Sequence, residues 1–495
     1  MDTALSDDRT YLMAIEQQII PFFPAQESGQ DVLGGGSPLA MNVVIDAKGV
    51  VRRRPGIASY VKGGAVASAP IVGLHTTSDK RTYAFSGNLP GSIEVYRLQE
   101  GGALNLTSGV SAFTGSTRPV IAETEAILAV ATSRAIQKIA LVDDTVSVLG
   151  GTPPQASHVI AHATRLLAND PVSNRTLVNY SAPALGDSVT GHEQWGTALS
   201  ALGQSGFVTA ESRPDEVVAI VENSNEVFAF GTNSLQIFLP DASLVYSPTQ
   251  TLEYGCAAPF GIVKVDQAFM WLDDRRRIVY SDGRAVKVIS DPIKATLEEI
   301  TKVDDCFGYR ILQGPIDVIV WTFPSDGRSF AFQIEGGWST WASYNEATTN
   351  WSPLGITSHT QIPGDNTHVV GLSDGTVGQL RLDQFTDLGT RIPAFVETGF
   401  LDRGSDNRKH CRSVKLVLRR GTTPAEGFAN LQYRDTEGAW SSPIPVSLGA
   451  GGDRELVVEF RSLGVYRRRQ WRFTFHANEE LALARVTEEF DVLSH

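Results

Sequence analysis

His158 and His162 stand four residues apart, the spacing at which one helix face can offer two imidazoles to a zinc ion. The surrounding HVIAHATRLL alternates like a strand, and no Glu follows the first His, so a zinc protease geometry is not expected. Gly34-Gly35-Gly36-Ser37 lacks the Lys-Ser/Thr and the helix that a phosphate-cradling loop requires. Gly203-Gln204-Ser205-Gly206 has its second Gly one place too early for a nucleophile elbow. Adjacent carboxylates occur at Asp143-Asp144, Asp273-Asp274, Glu298-Glu299, Asp304-Asp305 and Glu488-Glu489. A glycosidase needs two carboxyls facing one bond, whereas neighbours on a strand point to opposite faces. Asp435-Thr436-Glu437-Gly438 departs from a sialidase Asp-box by one residue. No catalytic set, cofactor site or metal site is expected.

Three basic clusters remain: Arg52-Arg53-Arg54, Arg275-Arg276-Arg277 and Arg467-Arg468-Arg469. Arginine forms bidentate pairs with carboxylates and tolerates burial better than lysine. Each cluster therefore reads either as local pairing on strand faces or as a docking point for another subunit or partner.

The chain as a whole is acidic. Its 495 residues carry 42 Lys plus Arg against 55 Asp plus Glu, a formal charge of −13. That balance argues against tight electrostatic gripping of nucleic acid, which rests on Lys and Arg neutralising phosphates. A conduit through which DNA slides is compatible with it. Three distant cysteines, Cys256, Cys306 and Cys411, give neither a disulfide framework nor a zinc ribbon, and imply reduced thiols and synthesis in a cytosol. No signal peptide is readable, and no apolar run is long enough to span a membrane.

Stepping along the chain, short β-branched and aromatic runs alternate with Gly, Asn, Asp and Ser clusters. Ser281-Asp282-Gly283, Ser325-Asp326-Gly327 and Ser373-Asp374-Gly375 each sit between two apolar runs, as hairpin turns do. Similar turns are expected at Asn88, Ser133, near Ala182, and at Asn233, so that turns recur about every 40–50 residues. Strand-only repeats of that length are the mark of a β-propeller. The fold expected is all-β: an irregular propeller of six to seven blades at 67–392, an N-terminal arm and hairpin at 1–66, and a C-terminal antiparallel β-sandwich at 393–495. Six strands are expected in the sandwich, at 411–420, 428–434, 440–448, 454–460, 469–476 and 483–493. One helix is expected at 292–300, opened by Asp291 and Pro292, and a weaker one at 10–18.

Several stretches together resemble the tail-hub or nozzle proteins of short-tailed bacteriophages, the packaged-DNA stabilisation family. They are NVVIDAKGVVRRRPG at 42–56, RPDEVVAIVENSNEVFAFGTNSLQIF at 213–238, GCAAPFGIVKVDQAFMWLDDRRRIVYSDG at 255–283, FGYRILQGPIDVIVWTFPSDGRSFAFQIEGGWSTW at 307–341 and SLGVYRRRQWRFTF at 462–475. Residues 100–205 match the family little, and DDRRR stands where a Gly-containing turn is usual. The resemblance implies a non-enzymatic virion protein of the tail, assembled in the host cytoplasm as a homo-hexamer below the head-to-tail adaptor ring. It further implies a channel that double-stranded DNA passes without tight binding, outer surfaces that seat a tail spike or fibre, and a plug or needle protein as a further partner. Two other readings stay open: a glycan-binding or glycan-processing propeller, and a generic protein-interaction propeller.

Overall fold

The computed structural model describes residues 16–19, 39–45, 50–61, 66–99, 102–107, 113–184, 188–196, 205–210, 215–241, 246–334, 337–420, 428–447, 455–475 and 480–493. The Gly34–Ser37 loop and the Gly203-Gln204 pair lie outside them. The chain divides into two units: 1–54, 333–340 and 391–495 form one, and 55–332 with 341–390 form the other.

The first unit is a β-sandwich. One sheet runs Val43–Ile45, Val51–Arg53, Leu481–Val492, Lys409–Arg420, Glu455–Arg461. The other contains Ala40–Met41, Ala394–Glu397, Gln470–Phe475, Phe428–Arg434 and Ile444–Ser447. Val414, Leu416 and Leu418, two residues apart and so on one face, meet Val396, Leu431 and Phe473 of the opposite sheet in a shared buried core. The six strands expected here are all present, each shifted by a few residues at most. The helix expected over 10–18 is contradicted where it can be seen: Glu16–Ile19 is a strand antiparallel to Thr487–Phe490. A partner hundreds of residues away decides the conformation there, which no local pattern can announce.

The second unit is a propeller. Six sheets follow one another in chain order over residues 71–115, 120–148, 159–209, 217–252, 263–288 and 307–333. A seventh, at 356–381, is completed by Gly56–Ser59, which pairs antiparallel with Gly378–Arg381 and so joins the start of the ring to its end. The first strand of each sheet lines a central cavity. These inner strands are β1 (Ile71–Thr76), β2 (Val120–Glu123), β3 (Val159–His162), β4 (Val217–Asn223), β5 (Val263–Val265), β6 (Phe307–Gln313) and β7 (Ile356–Ile362). Neighbouring sheets bury their apolar faces on each other. Phe228, Phe230 and Ile237 of the fourth meet Phe269, Trp271 and Val279 of the fifth.

Five of the seven expected turns join the second and third strands of a sheet. At two of them, Gly327 (φ +65°) and Gly375 (φ +82°) adopt the left-handed backbone that a Cβ disfavours. Two differ. In the third sheet the turn is at 170–176, between Arg165–Asn169 and Leu177–Tyr180, rather than near Ala182. Here Asp170 turns the chain, its carboxylate accepting from Ser173 N at 2.8 Å. In the fifth sheet Ser281-Asp282-Gly283 joins the third and fourth strands, and the equivalent turn is Asp273–Arg277, closed by the Asp273 carboxylate. The helix at 292–300 is present as a 3-10 turn, Asp291–Ile293, running into Lys294–Glu298, with Leu297 and Ile300 buried.

Asp215 shows how one residue locks a turn. It precedes β4, and its carboxylate accepts the backbone N–H groups of Thr232, Asn233 and Ser234 at 2.7–2.8 Å, as well as the Ser234 hydroxyl. Burial alone would raise its pKa, but these donors outweigh burial and hold the carboxyl below the usual value. A depressed folded-state pKa contributes stability that is present above the unfolded value and is lost as pH falls through the folded one. Asp215→Asn is therefore expected to cost about 1–3 kcal/mol at neutral pH, with the gap to wild type closing in acid. Urea denaturation between pH 7 and pH 3 checks this.

Candidate functional site

The propeller's centre is a cavity of about 780 Å³ walled by all seven inner strands. One stretch of its wall is polar and internally paired. Glu222 of β4 meets Lys264 of β5 at 3.0 Å, and Arg310 of β6 meets Asp266 at 2.9 Å and Asp317 at 2.7 Å. Glu123 of β2 faces His75 of β1 at 3.1 Å and accepts the Ser78 N–H and hydroxyl. Burial would raise the Glu123 carboxyl, but these donors keep it below its ordinary value. The remaining wall combines Ile160, Ile220, Val221, Phe260, Phe307 and Tyr309 with Arg118, His158, Ser358, His359 and Gln361.

Arg118, on the approach to β2, enters this wall with its guanidinium 4.1 Å above the centre of the Phe307 ring. Its Nη1 donates to the carbonyls of Val72, at 3.3 Å, and Thr357. Both acceptors lie at β-bulges, between Ile71 and Gly73 in β1 and between Ile356 and Ser358 in β7, where the ladder register slips. Loss of solvent lowers the Arg118 pKa to about 10, which leaves it cationic at neutral pH.

Burial keeps His158 and His359 neutral. His158 stacks on Phe260 at 5.0 Å, and burial pulls its pKa down to about 4. His359 stacks on Tyr309 at 5.0 Å and bonds through Nε2 to His368 Nδ1 at 2.9 Å; burial, then the neighbouring imidazole, lower it to about 3. His162 bonds instead to the Tyr246 hydroxyl at 2.9 Å, so the HxxxH pair engages two different partners. Among the described residues no three His, Cys, Asp or Glu side chains gather as metal ligands.

Of the adjacent carboxylates, Glu488-Glu489 lies in a strand and separates as alternation requires, while the other pairs lie in turns or at a helix end. Glu488 is buried and receives Arg403 and the Tyr466 hydroxyl, while Glu489 faces outward to Lys415 and Ser413. Asp144 accepts from Tyr83, Arg81 and Arg97 of the preceding sheet, whereas Asp143 caps Thr145. Asp435 is tied to Arg469.

The arginine clusters divide into inward and outward members. Arg53 and Arg54 are buried, Arg54 Nε donating to Asn42 Oδ1 at 3.0 Å, while half-buried Arg52 pairs with Glu480 at 3.0 Å. Arg277 closes on buried Asp273 through Nε and Nη2, Arg276 donates to Ile300 O, and Arg275 is exposed. Arg469 is buried, bidentate to Asp435 and enclosed by Tyr433, Tyr466 and Trp471. Exposed Arg468 lies 5.0 Å over Phe400, and exposed Arg467 donates to Asp406 O. Arg54, Arg277 and Arg469 thus serve their own unit. Arg275, Arg276, Arg467 and Arg468 are the exposed members.

Sequence reasoning missed Arg118. No motif surrounds it, and its neighbours Val72, Phe307 and Thr357 come from three other stretches of chain. The GCAAPFG segment, by contrast, has a clear structural duty. Its Gly255 and Gly261 carbonyls accept the indole N–H groups of Trp271, at 3.0 Å, and Trp321, at 2.8 Å. A Cβ on Gly255 would collide with Thr232 O.

No curated protein matches the sequence. A solved structure of the Neurospora crassa Pan2 WD40 domain aligns with 66% of this chain and 94% of its own, at 6% identity and a TM-score of 0.40. Residues 197–382, from the close of the third sheet to the end of the seventh, match the model of a phage-stabilisation family described as "Bacteriophage P22 Gp10, beta-propeller".

Proposed function

We propose that this chain is a structural component of the tail of a short-tailed phage, a nozzle subunit that assembles as a hexamer beneath the head-to-tail adaptor ring. The observation that carries the reading is the family match over residues 197–382, which covers the last four sheets of the propeller. The ring's own cavity has the volume of a small-ligand pocket, so a duplex would pass between copies rather than through one ring. A net charge of −13 per chain would keep phosphate affinity low along such a passage. Arg275, Arg276, Arg467 and Arg468, the exposed cluster members, would meet carboxylates of a neighbouring copy, the adaptor, a spike or fibre, or a plug protein.

Quantitative mass spectrometry of purified virions tests the proposal. The chain is expected at the copy number of a six-fold tail component, and electron microscopy of the chain mixed with its adaptor is expected to show rings. Absence of the chain from virions overturns the reading.

A further inference from the structure

We propose that the central cavity of the propeller binds a small organic carboxylate, anchored on Arg118. Among the described residues the cavity wall carries three lysine or arginine side chains, and two of them have carboxylate partners: Lys264 with Glu222, and Arg310 with Asp266 and Asp317. Arg118 differs. Among the described residues no carboxylate lies within ion-pair distance of it, and only its Nη1 is engaged, by the Val72 and Thr357 carbonyls. Asp305 is felt by Arg118 but stays out of ion-pair reach, with one oxygen held by the Ser325 N–H at 2.9 Å. The wall's two glutamates are occupied as well, Glu123 by His75 and Ser78, Glu222 by Lys264. Of these three cations, Arg118 alone makes no ion pair with a carboxylate.

The uncommitted donors are Nε and Nη2, neighbours on one edge of the guanidinium, and that edge matches the two oxygens of a carboxylate. Phe307 fixes the plane of the group from one side. Elsewhere the lining mixes Phe260, Ile160, Ile220, Val221 and Tyr309, which would meet an apolar body, with His158, Ser358, His359 and Gln361. Phosphate is the poorer guest, since it brings more acceptor oxygens than this wall has spare donors. The volume, about 780 Å³, falls within the roughly 300–1,000 Å³ usual for small-molecule sites.

The probe is para-fluorobenzoate titrated into the full-length chain, followed by fluorine NMR line width and calorimetry. Saturable one-to-one binding is expected, with para-fluorobenzamide, neutral and nearly isosteric, failing to bind and inorganic phosphate failing to compete. Arg118→Gln is expected to weaken binding by at least about tenfold. Arg118→Lys, which keeps the charge and loses the fork, should weaken it too. Should Arg118→Gln not fold by circular dichroism, the benzoate-against-benzamide comparison on wild type decides the matter. No saturation by the benzoate, equal binding of the benzamide, displacement by phosphate, or unchanged affinity in a folded Arg118 variant would each overturn the site.

Discussion

Arg403→Met is expected to destabilise the sandwich unit by about 3–5 kcal/mol. Arg403 and Glu488 are both buried, with side-chain exposures of 5% and 0%, and the pair is made through Nε at 3.0 Å and Nη2 at 2.6 Å. The Tyr466 hydroxyl adds a donor to the other Glu488 oxygen at 2.6 Å. Removing the cation leaves a carboxylate inside the protein with the Tyr466 hydroxyl and the Cys411 thiol, both neutral, to offset its lost hydration. The cost comes from that stranded charge, so Arg403→Met combined with Glu488→Gln should recover much of the loss. Urea denaturation of the two variants beside wild type measures the difference. Equal stability of the single and double variants would show that packing around Arg403, rather than the charge, sets the penalty.

Trp271→Ala is expected to cost the propeller about 3–5 kcal/mol. The indole is fully buried between the fourth and fifth sheets, edge-on to Phe230 at 5.3 Å, and Phe230 in turn meets Phe269 at 6.2 Å. Its N–H satisfies the Gly255 carbonyl. Trp271→Phe separates the two contributions: most of the ring contact survives, the donor does not, and the expected loss falls to about 1–2 kcal/mol. Far-ultraviolet circular dichroism during urea unfolding reports both. An alanine variant as stable as the phenylalanine one would mean that the site collapses around the missing ring.

The legibility of this fold follows from what each feature depends on. Asp326-Gly327 and Asp374-Gly375 are local events, set by four residues and by glycine's freedom at positive φ, and they lie where the sequence places them. Asp282-Gly283 has the same local signature yet occupies a different step of its sheet, because Asp273 and Arg277 build a turn of their own just upstream. The turn at 170–176 was hidden for the opposite reason, having Asp170 and Pro171 but no Asp-Gly pair. Strand alternation foretold that Glu488 and Glu489 would part company. It could not foretell that Arg469 would be enclosed while Arg468 stays in solvent, since that depends on which face of Gln470–Phe475 meets the opposing sheet. Arg118 was least visible of all. Its role arises only when two bulged strands, nearly three hundred residues apart, are laid side by side.

The strand Gly56–Ser59 has a consequence for synthesis. It leaves the ribosome before any of the sheets it will complete, and its partner, Gly378–Arg381, follows more than three hundred residues later. At about 5–20 residues per second that interval is on the order of tens of seconds. Throughout it the nascent polypeptide carries an unsatisfied edge, open to mispairing with another ribosome's product. A messenger truncated before codon 378 would therefore yield not a smaller stable disc but an unclosed arc, a substrate for chaperones and proteases.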